Sequence, residues 1–277
     1  MSDSIYLLII VGFLIGTLGT LIGAGGGFIL VPLLIIFHPE FSPEEITAIS
    51  MAVVAFNAIS GSVAYMNAKR VDYKAGVIFA LFTIPGAILG VMTTKVIPRN
   101  IFDVLFGICL FILATFLFLK GGKKPVSEPT VLVKKGWVQQ KITDKWNEQY
   151  VYSYNIRKGS ILSVFVGYFS PLLGIGGGII HVPAMVEWLR FPVHIATATS
   201  HFILAFMATA SVIVHFYGGS YSNPAVSHMV IGLAIGVIPG AQLGAYLSRR
   251  MQGKLIIRAL ALSLMLVGIR ILVSRFL

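Results

Sequence analysis

Residues 5–37 form a long apolar run broken once, by "LIGAGGG" at Leu21–Gly27, and the same break recurs as "LLGIGGG" at Leu172–Gly178. Continued as one helix, the first run would be roughly 50 Å long, against about 30 Å of hydrocarbon in a bilayer. The chain must therefore turn inside its most apolar segments, and it does so twice with its poorest helix formers. Composition agrees with a membrane setting. Of 277 residues 57% are hydrophobic and 11% charged, with a mean hydropathy of +0.90; a soluble domain carries about a quarter charged residues. The chain reads as an all-α polytopic membrane protein. "MSDS" at the start lacks a basic residue, so the first segment is expected to be a retained helix rather than a cleaved signal. The single cysteine, Cys109, rules out an internal disulfide and a cysteine metal cluster. A net charge of +11 in a soluble protein would suggest nucleic acid. Here basic residues gathered in cytoplasmic loops are the better reading, and no nucleic-acid partner is expected.

Hydropathy divides the chain into residues 1–119, a polar basic segment 120–158 and residues 159–277. Each flank holds four apolar elements, the first of them glycine-broken. After the break at Gly23–Gly27 come spans at Thr47–Met66, Ala75–Thr93 and Ile101–Leu119. After the second break come Ile195–Tyr217, Pro224–Leu247 and Leu255–Val273. Glu40, Glu44 and Glu45 are expected in a loop. The flanks are repeats: "GAGGGFILVP" (Gly23–Pro32) matches "GIGGGIIHVP" (Gly174–Pro183), "TAIS" (Thr47–Ser50) matches "TATS" (Thr197–Ser200), and "IPGAILG" (Ile84–Gly90) matches "IPGAQLG" (Ile238–Gly244). These matches keep one order and nearly one offset, which shared hydrophobicity does not produce. If each broken element enters and leaves on one face, the repeats are inverted and 17 of the 21 Lys and Arg lie on the side of the central segment. If every element crosses, the repeats are parallel and only 14 do. The positive-inside rule favours inversion and a cytoplasmic central segment. Within it, "EQYVYSYNI" (Glu148–Ile156) alternates as a strand does, and with "TVLVKK" (Thr130–Lys135) suggests a small β-hairpin.

Each break starts a new helix near Gly26–Gly27 and near Gly177–Gly178. A helix start presents unbonded N–H groups and a positive dipole end, and glycine lets an anion approach the backbone. Paired discontinuous helices at matching positions of two repeats point to a transport site. The alternative is that the glycines only allow close helix packing. The candidate substrate-binding residues are Gly25, Gly26, Gly27, Gly176, Gly177 and Gly178 at the breaks, with Ser50, Asn57, Thr199, Ser200, His201 and Gln242 on later spans. Ser50 and Ser200 are counterparts expected near a common axis; their hydroxyls would donate to anion oxygens or back-bond within their own helix. Gln242 stands where the first repeat has Ile88. His181, His201 and His215 are the titratable candidates through which a proton could couple to transport, while neutral interhelical bonding by each histidine is the plainer role, and the sequence does not identify the coupling ion. The spans contain no chain of buried acids, which argues against a cation pump. The sequence leaves a homo-oligomer open.

"GAGGGFILVP", "GIGGGIIHVP", "ATATSHF" (Ala196–Phe202) and "IPGAQLG" resemble the sulfite exporter TauE/SafE family, also called the 4-toluene sulfonate uptake permease family, over nearly the whole chain. The resemblance implies a multi-pass inner-membrane transporter of sulfur-containing anions such as sulfite or organosulfonates. No metalloprotease, nucleotide-loop or nucleophile-elbow signature is present, so an enzyme, an ATP-driven pump, a metal site and a cofactor are all unexpected. A secondary transporter or facilitator leads. An anion channel, and a membrane anchor or sensor acting through the central segment, remain as rivals.

Overall fold

The computed structural model describes residues 4–120 and 136–248. Nine helices and one hairpin follow in chain order among them: α1 (Ile5–Ile22), α2 (Gly27–Phe37), α3 (Pro43–Asn67), α4 (Tyr73–Thr94), α5 (Arg99–Lys120), β1 (Trp137–Thr143), β2 (Gln149–Asn155), α6 (Ile156–Leu173), α7 (Gly178–Glu187), α8 (Val193–Tyr217) and α9 (Pro224–Ser248). Five of the helices, α1, α3, α4, α8 and α9, are long and apolar enough to cross a bilayer. Leu81, Leu89, Ile112, Phe165 and Ile235 are among the large apolar side chains left facing outward, as lipid contact requires. The span expected at Leu255–Val273 lies outside the described residues.

Helix boundaries follow local chemistry more closely than hydropathy. α3 starts at Pro43, ahead of the expected Thr47, because Ser42 and Glu45 close a capping box: the Glu45 N–H donates to the Ser42 hydroxyl at 3.2 Å, and the Ser42 N–H donates to the Glu45 carboxylate at 2.9 Å. Glu44 and Glu45 thus sit in the first helical turn, not in a loop; only Glu40 stays outside. α6 begins directly off β2 at Ile156, so residues 156–158 are its first turn rather than the end of the polar segment. Asn155 caps it by accepting from the Lys158 N–H at 3.1 Å.

Elements of the first half pack on their counterparts' partners in the second. α1 lies along α9, and α6 lies along α4. The "IPGA" motifs show why: a Cβ at Gly240 or Gly244 would strike the carbonyls of Phe13 and Thr17, and a Cβ at Gly86 or Gly90 those of Val164 and Tyr168. Small residues let these backbones touch, the usual device where apolar burial drives no association. α3 and α8 pack together at the centre and run oppositely. At one end, Ser220 and Asn223, just beyond α8, donate to Glu44 at 2.6 Å and Glu45 at 2.7 Å. At the other, the Asp72 N–H, just beyond α3, donates to Thr199 near the start of α8 at 2.9 Å. Lys95 pairs with Glu44 at 3.4 Å, and the Arg99 guanidinium reaches the carbonyl of Phe41, so the ends of α2 and α4 share the face where α3 begins.

The hairpin covers the opposite face. β1 and β2 pair antiparallel from Trp137↔Asn155 to Thr143↔Gln149. The strand expected from "EQYVYSYNI" is present, but it pairs with Trp137–Thr143; residues 130–135 lie outside the described residues. Tyr152 and Tyr154 are buried against Phe191, at ring-centroid distances of 4.8 and 4.7 Å. The Tyr152 hydroxyl donates to Asp72 at 2.7 Å. Arg70 donates twice to Asp144, at 3.0 and 2.8 Å, and the Lys145 N–H donates to the Ala68 carbonyl at 3.0 Å. Burial alone would push the Asp144 carboxyl up. The Arg70 guanidinium and the N–H groups of Glu148 and Trp146 outweigh it and hold the carboxyl below its ordinary value. The hairpin is thereby pinned to the α3–α4 turn.

Candidate substrate site at the glycine crossing

α1 ends at Gly23, whose φ of 78° turns the chain back, and its N–H caps the carbonyls of Gly19 and Thr20. α6 ends the same way at Gly174, with φ 67°. The two breaks then run side by side in opposite directions. A Cβ at Gly178 would overlap the Gly23 carbonyl oxygen, and one at Gly27 would overlap that of Gly174. These are reciprocal contacts between counterpart residues, and they demand glycine at both positions. Residues 21–28 and 171–179 are all buried, so the crossing is closed in this structure.

Here α2 and α7 begin. Their N-caps are Gly26 and Gly177, and neither start carries a side-chain cap. The first N–H groups of a helix have no partner within it, and such groups are costly in an apolar interior. Because the breaks pair antiparallel, the uncapped start of α2 lies beside the end of α6 and that of α7 beside the end of α1, so the crossing carries a hydrogen-bond-donating, positive helix end from each repeat.

The flanking side chains make the two starts unequal. A Cβ at Gly26 would meet Ile15 and the Asn57 amide nitrogen, the latter at 3.5 Å. At Gly177 the counterpart neighbours are Val166 and the Met207 methyl, each at 3.1 Å. On the Gly26 side a polar cluster gathers. Asn57 donates to the Gly25 carbonyl at 2.8 Å and accepts from the Thr20 hydroxyl at 2.5 Å. Because that hydroxyl proton is committed, His201 Nε2, 3.1 Å away, must donate to the Thr20 oxygen, which fixes the histidine tautomer. The Tyr65 hydroxyl donates to the Thr20 carbonyl at 2.8 Å. The matching positions of Thr20 and Asn57 in the second repeat are Pro171 and Met207, so the Thr20–Asn57 hydrogen bond has no counterpart there.

Of the residues singled out from sequence, the structure brings together Gly25, Gly26, Gly27, Gly176, Gly177, Gly178, Ser50, Asn57 and His201. Ser50 neither waits for a ligand nor bonds back into its own helix; its hydroxyl donates across the repeats to the Gly174 carbonyl at 2.5 Å. Ser200 is buried beside His201, and its hydroxyl has no partner among the described residues. Thr199 and Gln242 stand apart. Thr199 accepts from the Asp72 N–H, and Gln242 donates to the Ser60 carbonyl at 2.7 Å. His181 lies in the first turn of α7, where its N–H donates to the Gly177 carbonyl at 2.8 Å, and its ring contacts Ser163 at 3.2 Å; His215 contacts Ser220 at 3.1 Å, at the end where α3 begins. Sequence reasoning passed over Thr20 and Tyr65. Thr20, a polar residue one turn before the break, was the available signal.

The sequence profile of the family described as sulfite exporter TauE/SafE matches residues 8–271. The chain is 33% identical over 279 residues, 97% of each chain, to "Probable membrane transporter protein YunE" of Bacillus subtilis. It is 26% identical over 258 residues to a "Probable membrane transporter protein" of Methanocaldococcus jannaschii, covering 90% of this chain and 88% of the other. No solved structure matches it.

Proposed function

The chain belongs to the sulfite exporter TauE/SafE family and is a multi-pass membrane transporter; on that premise we propose that it is a secondary transporter for a small sulfur-containing oxyanion, sulfite or an organosulfonate, across the cell's inner membrane. The anion binds between two inverted repeats, at the crossing that holds the starts of α2 and α7. The observation that carries this reading is a pair of buried, uncapped helix starts within one antiparallel crossing, the start of α2 beside the end of α6 and the start of α7 beside the end of α1. An oxyanion brings the acceptors these N–H groups lack, and no carboxylate competes for them at the crossing. Inversion is supported by the opposed directions of α3 and α8. It is supported too by Gly23 and Gly174, where the chain turns back before α2 and α7, and by the exchanged packing of α1 on α9 and α6 on α4. Because the crossing is closed, transport requires α2 or α7 to move relative to the opposite repeat, with the anion exposed to each face in turn. The polar cluster around Asn57 orients one end of the anion, and the Met207–Val166 side receives the other.

Counterflow in proteoliposomes tests this. Vesicles loaded with unlabelled sulfite or methanesulfonate should accumulate the labelled anion transiently and saturably, because a carrier exchanges through an occupied site. Flux that rises linearly with concentration and shows no counterflow would mark an anion channel instead. Flux surviving in a hairpin-less chain, if that chain folds, would exclude the reading in which the hairpin is the working part.

A further inference from the structure

On the hairpin face a cavity of about 250 Å³ opens between the ends of α3 and α9, beneath the turn of the hairpin. Its polar lining is Arg70, Lys145, Gln242, Asn67 and the rings of Tyr65, Trp146 and Tyr246, and no carboxylate lines it among the described residues. The Arg70 guanidinium, 5.0 Å above the Trp146 ring, is already matched by Asp144 at 2.8 Å. Lys145 is different. Its side chain is exposed and forms no ion pair among the described residues, while its backbone N–H, bonded to the Ala68 carbonyl, fixes it at the cavity mouth. The floor leads inward. Tyr65 lines the cavity, bonds the Thr20 carbonyl at 2.8 Å and stands edge-on to His201 at 5.8 Å. The bottom of the cavity is therefore the outer wall of the polar cluster beside Gly25 and Gly26.

We propose that this cavity is an oxyanion-docking site on the hairpin side of the transport path, with the Lys145 ammonium as its charged contact. The hairpin is then a part of the substrate route rather than a separate module. The space is below the roughly 300–1,000 Å³ of ordinary ligand pockets, which fits an anion of a few heavy atoms. The uncommitted Lys145 charge and the aromatic walls supply the selectivity for negative charge, while the nearby carboxylates, Asp144 and Glu148, are paired with Arg70 at 2.8 and 3.7 Å and are not lining residues. The proposal rests on the transport reading for the role of the site, but not for its binding chemistry. An anionic lipid headgroup offers the same oxyanion chemistry. The inward-leading floor favours the free anion.

Trp146 reports on the site directly. In purified full-length protein carrying Trp137→Phe and Trp188→Phe, methanesulfonate added at constant ionic strength should change Trp146 fluorescence saturably. Lys145→Gln should weaken that binding about tenfold, the loss of one charge-assisted contact. Lys145→Arg should restore most of it. Lys141→Gln, which removes an exposed charge from β1 of the same hairpin, should leave it unchanged. Equal binding by Lys145→Gln and the parent overturns the proposal, as does equal weakening by Lys141→Gln. Competitive displacement of methanesulfonate by phosphatidylglycerol in nanodiscs, absent with phosphatidylcholine alone, overturns it in favour of a headgroup. Counterflow with a KM unchanged by Lys145→Gln removes the cavity from the transport path. Absence of counterflow with Lys145-dependent binding intact sinks the transport reading and upholds the anion site.

Discussion

At the scale of single residues, one methyl group separates two kinds of glycine in the crossing. At Gly178 a Cβ meets the backbone of Gly23 and Ala24, which cannot yield without parting the two repeats. At Gly177 φ is −56°, an ordinary helical value, and the nearest atoms belong to the flexible Met207 and to Val166. Gly178→Ala should therefore destabilise the protein by about 1–3 kcal/mol through overpacking, and Gly177→Ala by less than about 1 kcal/mol. The fraction of protein still monodisperse after graded heating compares them. If Gly177→Ala proves as damaging as Gly178→Ala, the crossing is packed differently from this description. The glycine breaks were legible in sequence because they recur in register within two apolar runs, although the sequence alone left close packing as their other explanation. Thr20 and Tyr65 were not, because their partners lie 37 residues or more away in the chain and a lone polar residue on an apolar helix has many uses. Which serines were already committed was equally hidden: Ser50 is spent on Gly174 of the other repeat, while its counterpart Ser200 is without a partner.

Among the elements, hydropathy located each described membrane helix, and capping chemistry fixed where helices start. The sequence Ser42-Pro43-Glu44-Glu45 carries its own start signal, yet two carboxylates pulled the expected boundary into the apolar part of α3. The hairpin was half legible. Alternating tyrosines identified β2, whereas β1, Trp137–Thr143, mixes lysine and glutamine with apolar residues and acquires its strand character from pairing with β2 and from Val138 and Ile142 packing against the buried cluster beneath the hairpin. Its sidedness follows from charge. Lys69, Arg70 and Lys74 lie at the same face as the hairpin, and Lys95 and Arg99 lie at the other. We expect the hairpin face to be cytoplasmic. A cysteine placed at the exposed Gln139, in a chain whose native Cys109 is replaced, should resist a membrane-impermeant thiol reagent in intact cells and react once the cells are opened. Labelling in intact cells would reverse the orientation.

For the molecule as a whole, duplication was the strongest signal in the sequence, and the fold gives it a physical meaning. Each "IPGA" helix receives the first helix of the opposite repeat, and each glycine break rests on the other. Neither half completes its own packing, and the proposed substrate site lies where both halves are needed. The aligned repeats set Thr20 and Asn57 against Pro171 and Met207, but that Thr20 and Asn57 bond each other beside the break appears only in the fold. The central claim, that the two helix starts hold the oxyanion, is tested most directly with selenite, the selenium counterpart of sulfite. Diffraction at the selenium edge from crystals of the selenite-bound protein should show an anomalous peak about 3–4 Å from the backbone nitrogens of Gly26–Phe28 or Gly177–Ile179, as hydrogen bonding to them requires. Ordered selenite confined to the hairpin-side cavity or the surface, in protein that binds it saturably, would contradict the claim.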